Sequence, residues 1–266
     1  MIDVIDDILL AGYDGLVAEW RALRSRGLRL HEVACVGAPR TLLLAEIGPS
    51  AAPVIAISAG VHGDEPDGAW ALFSLVRDGL LDARFAYRLW PCTNPTGFAA
   101  ATRCSADGLD INRTFGRGGG SPEAKAILTA NRDRRFALTI DLHEDHEADG
   151  FYLYEAARSA EPGRYAGPVT AAVAEAGFGL QRFSPGFELG PPGSEVAQTC
   201  APGAVVVDGA REAPFFGDAL PAGLVAVRRA TPRALTFETP LGAPVPVRVA
   251  MHRVAVVAAL AAAKGG

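Results

Sequence analysis

Two apolar runs set the frame for this chain: Val54-Ile-Ala-Ile-Ser-Ala-Gly60 and Phe136-Ala-Leu-Thr-Ile-Asp-Leu142. Runs this short and this apolar read as strands covered on both faces, which calls for helices above and below a sheet. The rest of the chain supplies them. Leu16, Trp20 and Leu23 recur at helical spacing within 13–26, ended by Gly27, and helices are predicted over about 66–80, 168–176 and 247–263. Ser121-Pro122-Glu123 carries an N-cap, a first-turn proline and an acidic first turn, so another helix starts there. Residues 28–36 and 41–47 form a predicted hairpin around Gly37-Ala-Pro-Arg40. Further strands are expected over 87–91, 150–155, 204–207 and 234–237. Asn94-Pro95-Thr96-Gly97 reads as a turn, and 99–120 and 181–202 as irregular chain. Strands alternating with helices predict an α/β protein with a mixed sheet, and with no linker or repeat the 266 residues read as one domain.

The apolar strands empty into polar chemistry. His62-Gly-Asp-Glu65 follows the first run, Asp141-Leu-His143 ends the second, and Thr236-Phe-Glu238 ends a late one. In open α/β sheets ligands sit at the carboxyl ends of strands. Two histidines and a glutamate suit a catalytic zinc site, which keeps three protein ligands and a fourth position for water. Each piece also has a plainer reading. Asp64, Glu65 and Asp67 flank Pro66 as acidic residues do in a helix first turn, and Glu238 alone is an ordinary strand-end carboxylate. His143 with His146 and Glu147 is an alternative ligand set. In the functional reading Glu238 is a general base taking a proton from the activated water. Arg103, Asn112 and Arg113 lie in the polar loop, where a guanidinium suits an oxyanion or a substrate carboxylate.

The net charge of −5 and the absence of a basic run argue against nucleic acid as a partner. Cys35, Cys92, Cys104 and Cys200 make no CxxC pair and read as reduced thiols. The acidic N-terminus is unlike a secretory signal, and the apolar stretch 254–263 is too short to span a bilayer, so a cytoplasmic protein without membrane contact is expected. No Gly-x-Ser-x-Gly elbow supports a serine hydrolase.

The motifs Gly60-Val-His-Gly-Asp-Glu65, Asn94-Pro-Thr-Gly97, Gly108-Leu-Asp-Ile-Asn-Arg113, Asp141-Leu-His143 and Leu235-Thr-Phe-Glu238 together resemble the zinc carboxypeptidase family, including its succinylglutamate desuccinylase/aspartoacylase group. The resemblance implies an α/β/α sandwich of three layers around a mixed, mainly eight-stranded sheet. It implies one Zn2+ on His62, Glu65 and His143, with Asp110 orienting His62. Glu238 would be the base, Arg103 would polarise the scissile carbonyl, and Asn112 and Arg113 would grip a substrate carboxylate. The substrate would be a small peptide or an N-acyl amino acid, and a non-catalytic zinc-binding module is a remote alternative. Carboxypeptidases also place a clamping tyrosine shortly before the catalytic glutamate; here no tyrosine follows Tyr165. If the family layout holds, 208–229 helps line the side-chain pocket, with Arg211, Glu212, Arg228 and Arg229 as selectors.

Overall fold

In the computed structural model, residues 12–23, 27–116, 120–157, 163–183, 198–208, 222, 223, 226 and 230–263 are described. Arg211, Glu212, Arg228 and Arg229 lie outside them. Among the described residues nine strands form one sheet: β1 (Arg29–Val33), β2 (Leu42–Ile47), β3 (Val54–Ala59), β4 (Ala86–Trp90), β5 (Leu138–Asp145), β6 (Tyr152–Ala157), β7 (Gln198–Ala201), β8 (Ala204–Asp208) and β9 (Arg233–Pro240). Their order is β1-β2-β4-β3-β5-β9-β6-β8-β7. The central strands β4, β3, β5 and β9 run parallel, and β6 pairs antiparallel with β9. The expected mixed sheet is there, extended by the four-residue β7, which pairs antiparallel with β8 inside a segment that reads as irregular in sequence.

Alternation along the strands separates two cores. Ile55, Ile57, Leu138, Ile140, Leu142, Leu235 and Phe237 face one way. There they meet helices α1 (Gly12–Ala22), α2 (Asp67–Arg77), α5 (Ala166–Glu175) and α6 (Val245–Ala262). On the opposite face Leu42, Leu44, Trp90 and Ala234 pack against α4 (Pro122–Ala130) through Ala124 and Ile127. The result is the α/β/α layering. Ser121 caps α4 as expected, its hydroxyl accepting from Ala124 N at 3.1 Å.

Two sequence expectations change. Asn94-Pro-Thr-Gly97 is not a turn but the start of a short helix, α3 (Pro95–Ala100), because Asn94 Oδ1 accepts from Gly97 N at 2.9 Å and Pro95 fills the first helical position. The apolar C-terminal stretch belongs to an 18-residue helix, α6, long and apolar enough by composition to cross a membrane. Here it packs against α2, α5 and β9. Its buried face includes Val249, Ala255, Val256 and Leu260, and also Arg248 and His252.

Candidate metal centre

The site lies where β3, β5 and β9 end. His143 and Asp141 are two residues apart on β5, so both side chains leave the same face. Parallel pairing puts Glu238 directly beside His143. Both sit within the ladder rather than past its end. His62 and Glu65 come from the turn between β3 and α2, where Gly63 is forced: a Cβ there would collide with the backbone of Gly97 and Phe98. α3 therefore presses on the turn that aims His62. Gly97 is equally constrained, since a Cβ on it would collide with Asn94 Nδ2 and lie 2.6 Å from Cys104 O.

Three buried side chains converge. His62 Nδ1 lies 2.6 Å from Glu65 Oε1, and His143 Nδ1 lies 3.0 Å from Glu65 Oε2. The two rings stand edge to face, 4.9 Å apart. One donor atom from each of His62, Glu65 and His143 falls within 4.8 Å of the others. The remaining ring nitrogens face carboxylates. His143 Nε2 is 3.2 Å from Asp141 Oδ2, and Ser58 Oγ donates to Asp141 Oδ1 at 2.9 Å. His62 Nε2 is 3.3 Å from Asp110 Oδ1, close but not aligned as a hydrogen bond. Imidazoles backed by carboxylates are the arrangement that fixes tautomer and raises ligand basicity at metal sites. The donor set fits a zinc ion: two nitrogens, one carboxylate and a shared focus.

The electrostatics agree. Burial opposes ionisation of Glu65, yet the hydrogen bonds and charges of His143 and His62 outweigh it and hold the carboxyl down at about 2. Burial likewise opposes charge on His143, but Asp141 and Glu65 raise it well above the ordinary histidine value. Both results describe a pocket that seeks positive charge. Glu238 is half-buried, and its carboxyl is pushed up to about 8, first by burial, then by Glu65, Asp145 and Asp141 against the opposing charge of His143.

The chain is also similar to known proteins. Residues 51–182 match the succinylglutamate desuccinylase/aspartoacylase catalytic domain. That match spans about half of the chain and includes His62, Glu65 and His143. Over 113 residues it is 31% identical to Carboxypeptidase SOL1 of Arabidopsis thaliana, an alignment covering 35% of this chain and only 23% of that protein. The fold superposes on a candidate metallopeptidase of Shewanella denitrificans OS217 with a TM-score of 0.72 at 24% identity, covering 93% and 89% of the two chains. A metallo-carboxypeptidase of Pseudomonas aeruginosa, in complex with (2-guanidinoethylmercapto)succinic acid, gives 0.63 at 18% identity over 93% and 66%.

The loop residues take distinct places. Arg103 reaches the triad, with Nη1 3.2 Å from His62 Nδ1 and Nη2 3.0 Å from Asp110 Oδ2. Its backbone carbonyl is tied by Asn94 Nδ2 at 3.1 Å. Asn112 is buried and accepts from Ala222 N at 3.1 Å. Arg113 is exposed, and its guanidinium touches only the carbonyl of Asn112, at 3.5 Å, among the described residues. The alternative set fails: the His146 side chain is 77% exposed, turned to solvent beside Asp145 and Glu147. Tyr152 is the cross-strand partner of Glu238 and donates to Asp145 Oδ2 at 2.7 Å.

Two features escape sequence reasoning. Asp141 is visible only as a neighbour of His143, although a two-residue step on a strand is the signal that it shares the ring's face. The second is a cavity of about 480 Å3 between the sheet and α4. Ser58, Thr93 and Asp141 line it together with Trp90, Phe115 and Ile127, so it opens behind the carboxylate that backs His143.

Proposed function

We propose that this protein is a zinc-dependent hydrolase that cleaves an amide bond next to a free carboxylate, acting on small peptides or amino-acid conjugates. The observation that carries this reading is the convergence of His62 Nδ1, His143 Nδ1 and the Glu65 carboxylate, with Glu238 in register beside His143. One zinc ion held by His62, Glu65 and His143 would supply Lewis acidity and lower the pKa of the attacking water. Glu238 accepts the water proton and returns it to the leaving amine. Arg103, poised over the triad, stabilises negative charge growing on the carbonyl oxygen. Arg113, whose guanidinium is exposed, would fork onto the substrate carboxylate, and Asn112, whose Oδ1 is taken by Ala222 N, would contribute its amide nitrogen. The succinic acid derivative bound to the Pseudomonas aeruginosa structure is a dicarboxylate, which accords with carboxylate recognition.

An N-acyl amino acid deacylase is the second reading. It is favoured by the match of residues 51–182 to the desuccinylase/aspartoacylase domain. The same residues serve both, with the carboxylate carried by a different part of the substrate. The zinc-loaded protein should be offered short peptides, N-acyl amino acids and the same compounds with the carboxylate amidated. Hydrolysis of the free acids alone supports the proposal, and the better series chooses between the two readings. Stoichiometric zinc without hydrolysis of any compound would instead point to a binding module.

A further inference from the structure

Behind the triad, α6 brings polar residues into a helix that is otherwise nearly all apolar. Arg248 is buried, and its guanidinium reaches three segments at once. Nε lies 2.6 Å from Asp67 Oδ2, at the start of α2 and two residues after Glu65. Nη1 lies 2.7 Å from Glu144 Oε2, next to His143. It also donates to Leu241 O at 3.0 Å, three residues after Glu238. Two backbone donors close the ring: Asp67 N to Glu144 Oε1 at 2.8 Å, and Glu144 N to Glu65 Oε2 at 3.1 Å. Alternation along β5 makes this possible, since His143 faces the site and Glu144 the helix layer. One turn along α6, His252 Nε2 meets Thr239 Oγ1 at 3.3 Å, beside Glu238.

Taking a guanidinium and two carboxylates out of water is costly, and apolar residues of similar volume serve stability as well or better. The arrangement is better explained by geometry. We propose that Arg248 is a positioning residue of the metal centre: by holding Asp67, Glu144 and Leu241 together it sets where Glu65, His143 and Glu238 stand relative to one another. The inference rests on the reading of His62, Glu65 and His143 as metal ligands.

The sign of one substitution tests it. Removing a positive charge near a cation site should tighten cation binding if only through-space electrostatics matter. Loss of positioning should weaken it. Zinc affinity of the metal-free protein would be measured by competition with a chromophoric chelator for the wild type, Arg248→Met and Arg248→Lys, with circular dichroism to establish folding. Zinc binding by Arg248→Met is expected to be at least about tenfold weaker. Arg248→Lys, which keeps the charge but cannot span three partners, should fall between the two. A folded Arg248→Met that binds zinc as tightly as the wild type, or more tightly, overturns the proposal. Where Arg248→Met does not fold, Arg248→Lys decides, and wild-type affinity there overturns it too. A wild-type protein that binds no zinc refutes the metal reading itself, so the two failures are told apart.

Discussion

Two buried carboxylates, Glu65 and Glu155, show what separates a site from a strut. Glu155 on β6 is saturated: Oε1 accepts from Arg164 N and Arg233 Nη1, and Oε2 from Tyr165 N and Ala166 N, at 2.7–2.9 Å. Backbone donors at the start of α5 and one guanidinium satisfy every demand the charge makes. Glu65 takes one backbone donor, from Glu144, and otherwise faces two imidazole nitrogens, with the half-exposed Arg103 guanidinium 3.6 Å from Oε1. Those nitrogens are lone-pair donors when neutral, so the contacts can be exchanged for a cation without orphaning a backbone group. Glu155 is closed, whereas Glu65 is open to one kind of partner.

Substitutions should break the two regions differently. The largest effect is expected at Glu238, which belongs to the open region and, in the proposed mechanism, does not hold the ion. Glu238→Gln should lower kcat by about a thousandfold, within the range for loss of a general base. Zinc content should stay at the wild-type level. Turnover retained within a few-fold of wild type would remove Glu238 from the mechanism. In the closed region, Glu155→Ala leaves Arg233 and three backbone donors without their carboxylate. Loss of one partner from a buried pair costs about 3–5 kcal/mol, read as a lowered denaturation midpoint. Zinc affinity of the folded fraction should not move, and a parallel loss there would erase the distinction between strut and site. Between these extremes stands Asp141, which backs His143 without joining the triad. Asp141→Asn should weaken zinc binding by about 10–100-fold with little effect on the unfolding of the metal-free protein.

Much of this contrast is legible in the sequence, for a local reason. The runs 54–60 and 136–142 announce buried strands, and the polar residues that follow them announce a site, because chemistry at strand ends is read within a few residues. What the sequence hides is non-local. Nothing near Arg248 indicates that it pairs with Asp67 and Glu144, 181 and 104 positions away. The acidic run after His143 is hard to explain as core until alternation sends Glu144 inward to Arg248 and leaves His146 outside. Tyr152 meets Glu238 only through strand pairing that crosses the β7–β8 excursion. The turn at Asn94 misleads for a different reason. Asn and Pro serve turns and helix starts alike, and tertiary contact with Gly63 settles which.

The smallest effect expected is one of pH, and it tests the open region most directly. In the metal-free protein His143 sits well above its ordinary value, because Asp141 and Glu65 outweigh the cost of burying its charge. Its protonated form is favoured, and Nδ1 must lose that proton before it can ligate. Zinc binding should release about one proton and tighten about tenfold per pH unit between roughly pH 6 and 8. The stability of the metal-free protein should run the other way. A histidine whose folded value is raised stabilises fully below its unfolded value near 6.5 and loses that contribution as pH rises through the folded one. Metal-free protein should thus lose thermal stability on alkalinisation while the zinc-loaded protein does not. Zinc titrations in weakly buffered solution at several pH values, paired with melting curves of both forms, would measure both slopes. A zinc affinity flat from pH 6 to 8 would mean that His143 is already neutral and that the pocket does not hold a proton in the cation's place.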